Sequence, residues 1–149
     1  MNFIETIKER ARKKIKRIVL PETMDERVLK AAAICEKDKI AEIILIGEES
    51  KIEETCKKES IDLGNIKIYN PKTDPITEKL INDLYELRKE KGMTLDDAKS
   101  LIMEDYMYYA CMLVQEGEAD GVVSGACHST ANTLRPALQI IKTSPNSKL

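Results

Sequence analysis

Between Ser124 and Pro136 the chain reads Ser124-Gly125-Ala126-Cys127-His128-Ser129-Thr130-Ala131-Asn132-Thr133-Leu134-Arg135-Pro136. Small, hydroxyl-rich and punctuated by glycine, this stretch suits an anion. Backbone N–H groups at a helix start carry partial positive charge and point outward, and Ser and Thr hydroxyls add donors. Arg135 brings a planar fork that can hold two phosphate oxygens at once. Ser129, Thr130 and Thr133 equally suit ordinary helix caps or turns, and local composition leaves both roles open. Pro136 disfavours a helical conformation at Arg135. Either a helix begins near Thr133, with Ser129 and Thr130 in a loop, or it begins earlier and kinks at the proline. The sequence does not choose.

Cys127 and His128 invite a thiol–imidazole nucleophile, but adjacent side chains usually point apart and a base must lie within hydrogen-bond reach. No catalytic residue is assigned there, and His128 is kept as a donor or acceptor for a substrate oxygen. One histidine in the whole chain supplies a metal poorly, so no metal is expected. Cys35, Cys56, Cys111 and Cys127 form no C-x-x-C pair, which fits free thiols in a reducing cytoplasm. No apolar run approaches a membrane span. With a net charge of -2, no Trp and one Phe, the chain has neither the field nor the flat side chains expected of a nucleic-acid binder. The basic run from Lys8 to Arg17 reads as a solvated helix face leading into a strand.

The elements that must hold the 124–136 stretch alternate between two periods. Lys16–Pro21, Ala41–Gly47, Asn65–Tyr69 and Asp120–Ala126 read as strands, the second and fourth nearly continuous in apolar residues, as parallel strands covered on both faces are. Thr23-x-x-Glu26 and Ser50-x-x-Glu53 match the capping box, and Asp74-Pro75 offers an N-cap followed by proline at the first helical position. Two long helical stretches follow, Pro75–Lys91 and Thr94–Glu118, separated by Gly92. This alternation implies right-handed crossovers and a single three-layer α/β/α domain with a mainly parallel sheet. Ligands of such sheets bind beyond the strands' carboxyl ends, where Ser124 and its successors fall.

Four stretches carry a resemblance: IVLPE at Ile18–Glu22, DERVLKAA at Asp25–Ala32, LRKEKGMT at Leu87–Thr94 and, the most specific, ADGVVSGACHSTANTLRPALQIIKT at Ala119–Thr143. Together they resemble the phosphate acetyltransferases (phosphotransacetylases), with the phosphate butyryltransferases as the nearest alternative. The resemblance implies a fold related to the isocitrate/isopropylmalate dehydrogenase-like proteins. It implies reversible acetyl transfer between coenzyme A and phosphate, with CoA or acetyl-CoA as substrate and no permanently bound cofactor. Ser129, Thr130, Thr133 and Arg135, with Ser124, Gly125 and His128 beside them, would cradle phosphate or acetyl phosphate. Arg88 would meet a phosphate of CoA, although by itself it reads as a solvated helix charge.

The same resemblance exposes what the chain lacks. Family members are about twice as long, with two domains and commonly a dimeric assembly. Their catalytic aspartate, oxyanion-stabilising serine and second phosphate-binding arginine have no matching positions here. The chain is therefore expected to be an N-terminal part, inactive without a C-terminal segment. Pro145-Asn146-Ser147 stands where the family usually has Pro-Gly. A non-catalytic module that binds a phosphorylated metabolite is the competing expectation. A dinucleotide reading lacks any G-x-G-x-x-G after a strand.

Overall fold

The structure, a computed structural model, describes residues 2–147. Four parallel strands, β1 (Arg17–Leu20), β2 (Glu42–Ile46), β3 (Lys67–Tyr69) and β4 (Gly121–Val122), lie side by side in the order β3-β2-β1-β4. Val19 is the registration point of the sheet, opposite Ile44 on one side and Val122 on the other. From β1 the chain steps outward to β2 and β3, then returns to place β4 on the far side of β1. That reversal opens a crevice between the carboxyl ends of β1 and β4.

Strand side chains alternate between faces, and the burial follows. Val19, Ile44 and Ile46 join one core with α4 (Ile76–Arg88), α5 (Leu95–Glu104), α6 (Tyr106–Gln115) and α7 (Thr130–Ile140). Leu20, Ile43 and Leu45 join a second core with α2 (Glu26–Asp38) and α3 (Glu49–Glu59). The three layers expected from the sequence are present, and the sheet is wholly parallel. From Met107 to Leu113 every residue of α6 is buried, as a helix that is apolar on all sides should be.

Several local expectations need correction. The fourth strand is only Gly121–Val122, because Ser124–Ala126 turn out of the sheet. Thr23 caps nothing. Its hydroxyl is buried and donates to the Ile46 carbonyl at 2.6 Å, and Asp25 caps α2 instead. Ser50 lies inside α3, whose N-cap Glu48 makes no side-chain cap bond. The reciprocal capping box is Thr94 with Asp97, at the start of α5. The long stretch after it breaks at Asp105, whose carboxylate accepts the Met107 amide and starts α6. Asp74 accepts the Ile76 amide as an N-cap would, and Gly92 ends the α4 stretch with φ +88°.

The basic run begins on α1 (Phe3–Lys13), none of whose residues is buried, and leads into β1 at Arg17, with Lys8 and Arg12 reaching Asp38 on α2. Among the described residues no helix is long and apolar enough to cross a membrane.

Candidate functional site

The crevice between β1 and β4 is organised by a residue that the sequence reading left without a role. Glu22 follows β1 and is 1% exposed. A buried carboxylate is tolerated only when donors surround it, and here the 124–128 loop supplies them all. Oε1 accepts the Ser124 hydroxyl at 3.1 Å, the Gly125 amide at 2.7 Å and the Ala126 amide at 2.9 Å. Oε2 accepts the Cys127 amide at 2.6 Å, the His128 amide at 2.9 Å and His128 Nδ1 at 2.9 Å. Successive amides turned onto one anion form a nest. The turn needs Gly125, whose φ of +122° an L side chain rarely adopts. Arg27 fastens the outside of the loop by donating to the Ala126 carbonyl at 3.0 Å.

The electrostatics follow from this count of donors. Burial pushes the Glu22 pKa up, but hydrogen bonds from the Cys127 amide, the His128 side chain and the Ala126 amide outweigh it. The carboxyl is held well below the usual range and stays ionised. The same carboxylate acts oppositely on Cys127. Partial burial of the sulfur, then the neighbouring negative charge, push that thiol up to about 11. A thiol so hard to ionise is a poor nucleophile near neutral pH, and the His128 Nδ1 is engaged by Glu22 and not by the sulfur, so the arrangement does not favour the thiol–imidazole alternative.

Glu22, Cys127 and His128 do bring three potential metal donors within 4.8 Å of one another. Both Glu22 oxygens, however, already accept three hydrogen bonds each. A cation would have to strip amides from an anion that they neutralise, so the cluster fits an internal counter-charge and not a metal centre.

The expected cradle is thereby divided. The donors of Ser124 and Gly125, expected to face a bound anion, are spent on Glu22 and support the site from behind. Beyond them α7 begins at Thr130 and runs through Pro136 without breaking, which decides between the two helix starts. Ser129 is its N-cap, accepting the Asn132 amide at 3.2 Å. Because the Ser129 oxygen is the acceptor in that bond, its own hydrogen remains able to donate. The Thr130 and Ala131 amides lie in the first turn, where helix geometry offers no partner. Thr133 is half-buried, and its hydroxyl oxygen has no hydrogen-bond partner among the described residues. Arg135 is exposed on α7 and makes no ion pair among the described residues.

His128 and Asn132 line a cleft of about 970 Å³ with Thr23, Gly47, Lys51 and Ser100. At its floor a Cβ on Gly47 would meet the Thr23 hydroxyl at 2.8 Å, so glycine is required for the close approach. Arg88 sits elsewhere, at the end of α4, in a second cleft of about 370 Å³ with Lys91, Tyr108 and Gln139. Its Nε is buried without a partner among the described residues, and Tyr108 donates to Gln139 at 2.8 Å beside it. Ser100 and Leu101 line both clefts and join them. Arg88 and Arg135 both act on the Tyr108 hydroxyl, whose pKa burial raises and the two guanidinium groups pull back.

Glu22 had one signal in the sequence: an acid placed directly after an apolar strand, at the end where parallel sheets bind ligands. Its partner loop lies about a hundred residues away, so the pairing was not readable from spacing.

Comparison with known proteins gives a consistent result. Residues 2–149 match the family model described as phosphate acetyl/butaryl transferase. A phosphate acetyltransferase from Acetivibrio thermocellus is 50% identical over all 149 residues, and one from Thermoanaerobacterium thermosaccharolyticum is 46% identical. The chain spans 44% of the length of each. Among solved structures, a phosphotransacetylase from Streptococcus pyogenes is similar over 100% of the chain and 46% of its own, at 38% identity and TM-score 0.91. One from Staphylococcus aureus matches over 98% and 44%, at 40% identity and TM-score 0.88.

Proposed function

Because the chain belongs to the phosphate acetyl/butaryl transferase family, we propose that it is the N-terminal part of a two-domain phosphate acetyltransferase. In this reading it supplies the phosphate side of the site for acetyl-CoA + phosphate = acetyl phosphate + CoA. The curated relatives compared above are named as acetyl enzymes, which favours acetyl over butyryl. The reading needs no resident cofactor or metal, takes CoA as a substrate, and belongs to a cytoplasmic enzyme that works as a dimer.

One observation carries it. The 125–128 amides and the Ser124 hydroxyl neutralise Glu22, so the donors left toward an external anion belong to the next turn: the Ser129 hydroxyl and the Thr130 and Ala131 amides. They stand at the positive end of α7, flanked by His128 and Asn132 on the cleft wall. Arg135 follows on the same helix as the exposed guanidinium of the cradle, and the Thr133 hydroxyl, without a partner among the described residues, is a further donor on that helix. Arg88, across the Ser100–Leu101 junction, meets a phosphate of CoA.

In acetyl phosphate cleavage a CoA thiolate attacks the acetyl carbonyl and phosphate departs. Two negative charges must then be held by donors fixed in advance. This segment holds the departing phosphate. The thiol's base and the donors for the carbonyl oxygen come from the remainder of the enzyme.

The test joins the chain to the C-terminal remainder of the Acetivibrio thermocellus relative and assays acetyl-CoA formation from acetyl phosphate and CoA. Turnover is expected, and Arg135→Ala should lower kcat/KM by about tenfold or more through loss of a charge-assisted pair. A folded chimera without turnover would overturn the reading. An unaffected Arg135→Ala variant would take Arg135 out of the cradle.

A further inference from the structure

Glu22 does more than close a loop: it dictates which nitrogen of His128 carries the proton. Its carboxylate is pinned in the ionised form by four backbone amides and offers only lone pairs. His128 Nδ1, 2.9 Å from Oε2, must therefore be the protonated nitrogen. A neutral imidazole protonated at Nδ1 has a lone pair at Nε2. His128 lines the 970 Å³ cleft, and with Nδ1 occupied, Nε2 is the polar atom it can present there.

We infer that Glu22 is a positioning residue for anion specificity: by fixing His128 as the Nδ1–H tautomer, it makes Nε2 an acceptor that selects a protonated oxyanion, hydrogen phosphate, over one without a proton. This rests on the reading that the cleft takes phosphate. Near neutral pH hydrogen phosphate carries one P–OH, whereas sulfate carries none. The Ser129 hydroxyl and the α7 amides attract both ions alike, because size and shape are nearly the same. An acceptor facing the anion separates them. Hydrogen phosphate donates its proton to Nε2, and sulfate sets two lone pairs against each other. An ordinary hydrogen bond to a charged group is worth enough to make the preference about tenfold or more.

The chain has one histidine, so imidazole 15N NMR of the 149-residue protein reports His128 alone. The expected spectrum is that of the Nδ1–H tautomer, although free imidazole side chains favour Nε2–H. Titration with inorganic phosphate should move the Nε2 resonance together with the Ser129–Ala131 amides, and sulfate should bind about tenfold or more weakly. Glu22→Gln, which can donate to Nδ1, should release the tautomer and level the two affinities. Should that variant unfold the loop, His128→Gln tests the same point, since its amide can donate to either anion and should also level them. An Nε2–H tautomer in the unsubstituted protein, or equal affinities for the two anions, would overturn this inference while leaving phosphate binding intact. No perturbation of the Ser129–Ala131 amides by either anion would instead defeat the functional reading beneath it.

Discussion

Two carboxylates tie β1 to β4, one at each end of the same strand pair, and they could hardly differ more. At the amino end, Asp120 accepts the Arg17 amide at 2.8 Å and its guanidinium at 3.2 and 3.3 Å, and the Arg17 carbonyl accepts the Asp120 amide at 2.8 Å. Both side chains stand about a third exposed. At the carboxyl end, Glu22 is buried and answered chiefly by backbone amides. Water screens the first pair and competes for it, so it serves register and little else. From the second, water is excluded, and each donor acts at low dielectric. Chemistry in parallel sheets gathers at the carboxyl end, and the contrast gives a physical reason: a buried, over-determined anion can hold a loop and an imidazole in fixed positions.

Experiments can break that contrast or sharpen it. Glu22→Gln should produce the largest effect, a loss of about 3 kcal/mol at neutral pH as a buried charge network loses its centre. Denaturant unfolding followed across pH checks the sign. Glu22 has a depressed pKa when folded, so its stabilisation is present above the ordinary glutamate range and is lost progressively as pH falls from that range down through the depressed folded value. The gap between the two proteins should therefore close in acid. A constant gap would mean that the side chain matters through its shape and not through its charge.

Next in size is the thiol. With Cys127 pushed up to about 11, its alkylation near neutral pH should be about tenfold or more slower than that of an unperturbed cysteine. Mass spectrometry of iodoacetamide adducts measures it, and Glu22→Gln should accelerate it. Gly125→Ala should cost about 1 kcal/mol, because φ of +122° strains an L residue even where a methyl group meets no neighbour. An unchanged unfolding midpoint there would show that the loop relaxes without its nest. Asp120→Asn should give the smallest effect. Asp120 is lowered to about 2, chiefly by its hydrogen bonds to Arg17, so what it contributes is present above its ordinary pKa and lost on acidification. Being exposed, that contribution should also vanish in molar salt, whereas the effect of Glu22→Gln should persist.

Much of this was legible from the residues. β1, β2 and β3 fall within the apolar runs that announced them, and helix α7 begins at the hydroxyl-rich stretch singled out for chemistry. Where the reading missed, a longer-range bond won. Thr23 has the spacing of a cap, yet the Ile46 carbonyl, on a neighbouring strand, claims its hydroxyl. Ser124–Ala126 close the run read as the fourth strand, yet a buried carboxylate drew their donors out of the sheet. Thr94 has the cap that local pattern proposed for Thr23, because nothing distant competes for it.

Apolar periodicity, glycine and proline placement and hydroxyl-rich composition are properties of neighbouring residues, and local backbone preference with burial turns them into strands, helices and an anion-friendly helix start. The sequence by itself therefore determined the layered parallel sheet and the end of it that matters. Which donors face inward was decided only when the chain brought Glu22 against residues 124–128. A hydrogen bond depends on separation in space, and two segments a hundred residues apart leave no periodic trace of meeting.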